Sequence, residues 1–96
     1  MDPITLLVIA AIGMAAGAVG VVTWQTIRNW LNTTRVYGGT ARIINNRLQS
    51  GNYRVVAGVF DARGTLKTQK AWEARSLDTE LAHEFEQGGG VIVVHL

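Results

Sequence analysis

From Ile4 to Trp24 the chain carries no charged side chain. Wound as an α-helix at about 1.5 Å per residue, that run is ~31 Å long, against a bilayer hydrocarbon thickness of about 30 Å. Such a segment has to be buried, and the sequence predicts a transmembrane helix. Asp2 is placed to cap it, and Pro3 stands where a missing N–H costs nothing. Trp24 and Trp30 then mark the far membrane interface, and the helix is expected to continue to Leu31 or Asn32.

The flanking charges set an orientation. Arg28, Arg35, Arg42 and Arg47 follow the run, whereas only Asp2 and the α-amino group precede it. The positive-inside rule therefore predicts an N-terminus outside and a C-terminal domain in the cytoplasm, with Trp24, Arg28, Trp30 and Arg35 at the interface. Two other readings compete. A secretory signal peptide fits poorly, because its leading segment should be positive. A buried helix inside a soluble oligomer is the other, since glycine-rich apolar helices occur in large cores.

Within the run, "GMAAGAVG" (Gly13–Gly20) sheds bulk. Gly13 and Gly17 have GxxxG spacing, and Ala16 and Gly20 repeat the interval. In lipid, small residues let helix backbones approach closely. Gly13, Ala16, Gly17 and Gly20 are thus the expected helix-packing contact between copies, or with a partner membrane protein.

After Gly38 and Gly39 the pattern becomes short apolar runs between turn residues, which signals strands. Thr40–Leu48 fits either a strand or a helix face. Tyr53–Phe60, "YRVVAGVF", reads as a central strand in which Gly58 marks a close approach or a bulge. Asp61–Gly64 reads as a type I turn closed by a left-handed glycine, returning Thr65–Glu73 as a hairpin partner. Lys67, Thr68, Gln69 and Lys70 make that partner look like an edge. A helix is expected from Ser76, with Asp78 and Glu80 in its first turn and Leu77, Leu81 and Phe85 buried; Gly88–Gly90 stop it. "VIVVHL" then reads as a buried strand beside Tyr53–Phe60.

The expected class is α+β: a single transmembrane helix, then a small antiparallel or mixed sheet built as a three-strand meander, a helix and a final strand. The expected divisions are 1–32 for the span and its interfacial extension, 33–40 for a hinge, and 41–96 for a small cytoplasmic domain.

Chemistry is sparse. The chain has no cysteine, which removes disulfides and thiolate metal sites. Glu80, His83 and Glu84 share a helix face in the Glu-x-x-His spacing of diiron bundles, but those need two such motifs, so a solvated face is the better reading. His95 adds no convincing third zinc ligand. The glycine triplet follows a helix and precedes a strand, the reverse of a phosphate-binding loop. Neither Ser50 nor Ser76 has a base at a recognisable spacing. No catalytic residue, metal or cofactor is therefore expected, nor a small-molecule substrate.

The net charge is +2 without a basic run. Arg42, Arg47, Arg54, Arg63, Lys67 and Lys70, with Tyr53 and Trp72 as possible stacking platforms, suit anionic headgroups better than nucleic acid, and Trp72 is expected beneath the helix. The functional expectation is a non-enzymatic membrane protein acting by homo-oligomeric assembly or scaffolding, its cytoplasmic domain offering a surface or joining a partner's sheet through an open edge. Two alternatives accompany it: a holin-like membrane-perturbing effector, and an accessory subunit of a larger membrane complex.

Overall fold

A computed structural model describes residues 17–34 and 36–96. Five strands form one sheet: β1 (Gly17–Val22), β2 (Thr40–Arg47), β3 (Tyr53–Phe60), β4 (Leu66–Leu77) and β5 (Val91–His95). Two helices complete it, α1 (Trp24–Thr34) between β1 and β2, and α2 (Thr79–Gln87) between β4 and β5. The order across the sheet is β1-β4-β3-β2-β5, curled as half a barrel.

The first correction concerns the span. Gly17–Val22 is a strand running parallel to Trp72–Leu77 of β4, so no helix runs continuously from Ile4 to Trp24. α1 has 11 residues, and no described helix is long and apolar enough to cross a membrane. The N-outside, C-cytoplasmic orientation rested on that span and falls with it. An uncharged valine-rich run suits a strand buried against a neighbouring layer as well as it suits a helix. Pairing with β4 decides between them at residues 17–22. Ile4–Ala16, the remainder of the expected span, lies outside the described residues.

The class is corrected with it. The protein is mainly β, a five-stranded sheet with two short helices. The β2-β3-β4 meander is present, with β2 settling the ambiguous Thr40–Leu48 run as a strand. β4 is an edge only in part: β3 flanks one side, β1 covers the other at Trp72–Leu77, and Leu66–Ala71, with Lys67 and Lys70, has no strand on that side among the described residues. β5 pairs with β2 rather than with β3. The strand that was expected to yield to a helix at Ser76 continues to Leu77, and α2 starts at Thr79 behind an Asp78 N-cap.

Side-chain alternation divides the sheet into two faces. On one, Val55, Ala57, Val59, Ala41, Ile43, Trp72, Ala74 and Ile92 meet Trp24, Ile27 and Leu31 of α1 and Leu81 and Phe85 of α2. Trp24 and Trp30 thus pack on this core instead of anchoring in lipid: Trp24 is buried, and Trp30 meets buried Trp72 edge-on at 5.8 Å. The opposite face holds a second cluster, Ile44, Val56, Phe60 and Ala71.

Local chemistry sets the turns. Gly51 and Gly64 have positive φ where the hairpins reverse. The Asp61 carboxylate accepts the N–H groups of Arg63 and Thr65, both at 2.9 Å. Those interactions, the Thr65 N–H first, with help from the positive charges of Lys67 and Arg63, hold the Asp61 carboxyl below its ordinary value. The register slips between Val59 and Phe60, one position beyond the region of Gly58.

Candidate functional site

The two strand–helix junctions meet at one carboxylate. Asp78 Oδ1 accepts the Leu81 N–H at 2.9 Å, capping α2, and also the Trp24 N–H at 3.3 Å in the first turn of α1. The Asp78 N–H donates to the Val22 carbonyl at 3.0 Å, extending the β1–β4 pairing into the loops. Sequence reading placed Asp78 in the first turn of one helix and had no signal for its service to a second. This is a positioning feature: it brings β1, and with it one border of the sheet, into a fixed place.

The other border is β5. α2 ends where the Gly88 N–H reaches the Glu84 carbonyl at 3.1 Å and the Gly90 N–H reaches the Phe85 carbonyl at 2.8 Å. Gly89 and Gly90 take φ of 68° and 98°, values that favour glycine, and a Cβ on Gly88 would overlap the Val91 carbonyl. The triplet therefore turns the chain tightly into β5. There Ile44 pairs with Val91 and Thr40 with His95, and the Leu96 N–H continues to the Gly39 carbonyl at 3.0 Å.

These bonds all lie on the β2 side of β5. On its outer side β5 has no partner strand among the described residues. Ile92 and Val94 pack into the helix-side core, which sends Val93 to the opposite face, where it is 44% exposed. Natural edges are usually blunted by lysine, proline, a bulge or very short length. Val91–Val94 has no charge and no proline, and its pairing with β2 is unbroken. Among the described residues β1 forms the matching border, with Val21 50% exposed beside the fully buried Val22.

A cleft of about 450 Å³ lies at the C-terminal end of α1, lined by Arg28, Leu31, Asn32, Tyr37, Val94 and His95 among others. Its walls mix polar and apolar groups, and Tyr37 is 85% exposed at the rim. On the second face, Arg42 Nε is buried with no hydrogen-bond partner among the described residues, as is Oδ1 of Asn45 on the helix side.

The residues expected from sequence are dispersed. Gly17 and Gly20 lie in β1, and a Cβ on Gly20 would meet nothing within 4 Å, so no close approach within the fold requires a glycine there. Gly13, Ala16 and Arg35 lie outside the described residues. Trp24 and Trp30 belong to the core, and Arg28 is exposed on α1 beside the cleft. Glu80 and His83 are exposed on α2 with Glu84 half-buried, and no group of three His, Cys, Asp or Glu suited to a metal occurs among the described residues. Trp72 lies beneath a helix, although its ring partner is α1 rather than α2.

The borders at Val21 and Val93 were missed as a pair. A signal for Val93 was present: an apolar final strand without a gatekeeping charge.

No family model, characterised protein or solved structure matches this chain.

Proposed function

We propose that the chain is a non-catalytic assembly module that joins copies of itself edge to edge through β5. The supporting observation is the outer side of that strand: Val91–Val94 is uncharged, proline-free and lacks a partner strand among the described residues, with Val93 44% exposed. A strand added there gains main-chain hydrogen bonds along its length, and the exposed valine supplies apolar contact. This keeps assembly as the mode of action and moves its seat from a helix face to a strand edge.

The test is the solution mass of the full chain, measured by light scattering, alongside Val93→Glu. A carboxylate at this position sits opposite Arg42 across β2, so the fold tolerates it, but it lands in the middle of the joining strand. The expected result is a multimer for the parent chain and a monomer for the variant, with the far-ultraviolet circular dichroism of both alike. A monomeric parent chain at every concentration overturns the proposal and favours an accessory role with a different partner.

A further inference from the structure

We infer that the assembly is a closed ring of two half-barrels, in which β5 of each copy pairs antiparallel with β1 of the other. This rests on the edge-joining reading above and specifies its partner strand.

Strand direction is the first argument. β1 is parallel to β4, while β4–β3, β3–β2 and β2–β5 are each antiparallel. β1 and β5 therefore run in opposite directions at the two borders of the sheet. Two copies related by a two-fold axis along the strands bring β5 of one against β1 of the other, antiparallel, twice. Curvature is the second argument: the sheet is already bent into half a barrel, so a second half completes the circuit.

The third argument is what each border exposes. Val22 lies in the helix-side core, so Val21 faces away from the helices; Ile92 and Val94 lie in the same core, so Val93 faces away too. Set opposite each other, Val21 and Val93 cover one another on that face. The same register places Val22 against Ile92 on the helix side and Gly20 against Val94, joining the helix-side cores of the two copies. Among the described residues the large exposed hydrophobics are Val21, Val93 and Tyr37, and closure covers the first two.

The alternative, β5 against β5 of a second copy, builds a longer open sheet and leaves two β1 borders, each with an exposed Val21. A ring pairs the outer sides of both β1 and β5, which limits further growth, and the stretch of β4 outside that seam carries Lys67 and Lys70, charges that discourage pairing.

The chain has no cysteine, so single introduced thiols report contacts without background. Full-length Val21→Cys and Val93→Cys are prepared separately, mixed under subunit exchange and oxidised. The expected result is a disulfide-linked dimer in the mixture only, with less than a tenth as much in either variant alone. Val21→Glu is expected to abolish the multimer as completely as Val93→Glu does. Cross-linking of Val93→Cys by itself, or a multimer surviving Val21→Glu, overturns the ring while leaving edge joining through β5 intact. In a chain carrying both Val21→Cys and Val93→Cys, a disulfide within one chain at concentrations where only monomer is present also overturns it. Absence of any multimer of the parent chain removes the underlying reading itself.

Discussion

The β1–α1 and β4–α2 units are the same local construction made from opposite materials. Each is a strand leading into a helix, the two strands lie side by side and parallel, and both helices begin at Asp78. α2 is marked by charge: an Asp78 cap, Glu80 in its first turn, and a glycine stop. α1 has no acidic residue in its first turn and no basic residue in its last. Its start relies on Thr23, whose hydroxyl accepts the Thr26 N–H at 3.0 Å, and on the carboxylate borrowed from the other unit. What holds α1 is packing: Trp24, Ile27 and Leu31 on the sheet, and Trp30 edge-on against Trp72. A helix can thus be specified from within its own sequence or by the surface that receives it, and this protein does both side by side.

Trp72→Ala tests that contrast most severely. Trp72 is 4% exposed, pairs across from Gly17, and carries Trp30. Its loss is expected to cost about 3–5 kcal/mol in denaturant unfolding, and hydrogen exchange is expected to show α1 opening more readily than α2. Equal protection in both helices would erase the distinction.

Ile27→Ala and Leu81→Ala, each removing a fully buried side chain from one helix, are each expected to cost about 2–5 kcal/mol. The sharper measurement is local: the first is expected to release α1 alone, while the second disturbs both units because α2 holds Asp78 in place. Asp78→Ala is expected to cost about 0.5–2 kcal/mol, with faster amide exchange at Trp24 as well as at Leu81. An effect confined to Leu81 would show the borrowed cap to be of no energetic weight.

The smallest effect serves as the reference outside both units. Asp61 closes the β3–β4 turn, and its carboxyl is held below its ordinary 3.8 by the Thr65 N–H first and then by the Arg63 N–H and the nearby charges of Lys67 and Arg63. A depressed folded-state value means that the contribution is present above the unfolded value and lost as pH falls through the folded one. Nuclear magnetic resonance titration should give a midpoint below 3.8, and the turn should weaken only under acid. Asp61→Asn should remove that part of the acid dependence and leave both helices unchanged.

The same contrast explains what could be read in advance. Tyr53–Phe60 with its Asp61–Gly64 turn, and the helix ended by Gly88–Gly90, announce themselves through residues whose local chemistry has few other uses. Gly17–Thr34 has no such marks. Its valines and small residues fit a buried strand and a membrane helix alike, and only the distant strand β4 separates the two. The two borders were hidden for a related reason. The lysines of β4 mark the stretch that has no outer partner among the described residues, but they carry no sign that β1 pairs farther along, at Trp72–Leu77. β5 reads as buried on both sides because three of its residues are valine, although among the described residues the sheet ends with it.

The double service of Asp78 has a kinetic consequence. Its bond to Trp24 joins groups 54 positions apart, whereas β2, β3 and β4 are linked by short turns and α2 and β5 follow directly. Closing so long a loop costs entropy before any contact repays it, and parallel pairing is slow to nucleate. The expectation is that the meander and α2 form first and that Gly17–Thr34 docks on them last, which pulsed hydrogen exchange would check as late protection of β1 and α1. During that interval Trp72 and the β4 border lie open. The rate of that final docking would determine how long a newly made chain carries an unfilled strand position.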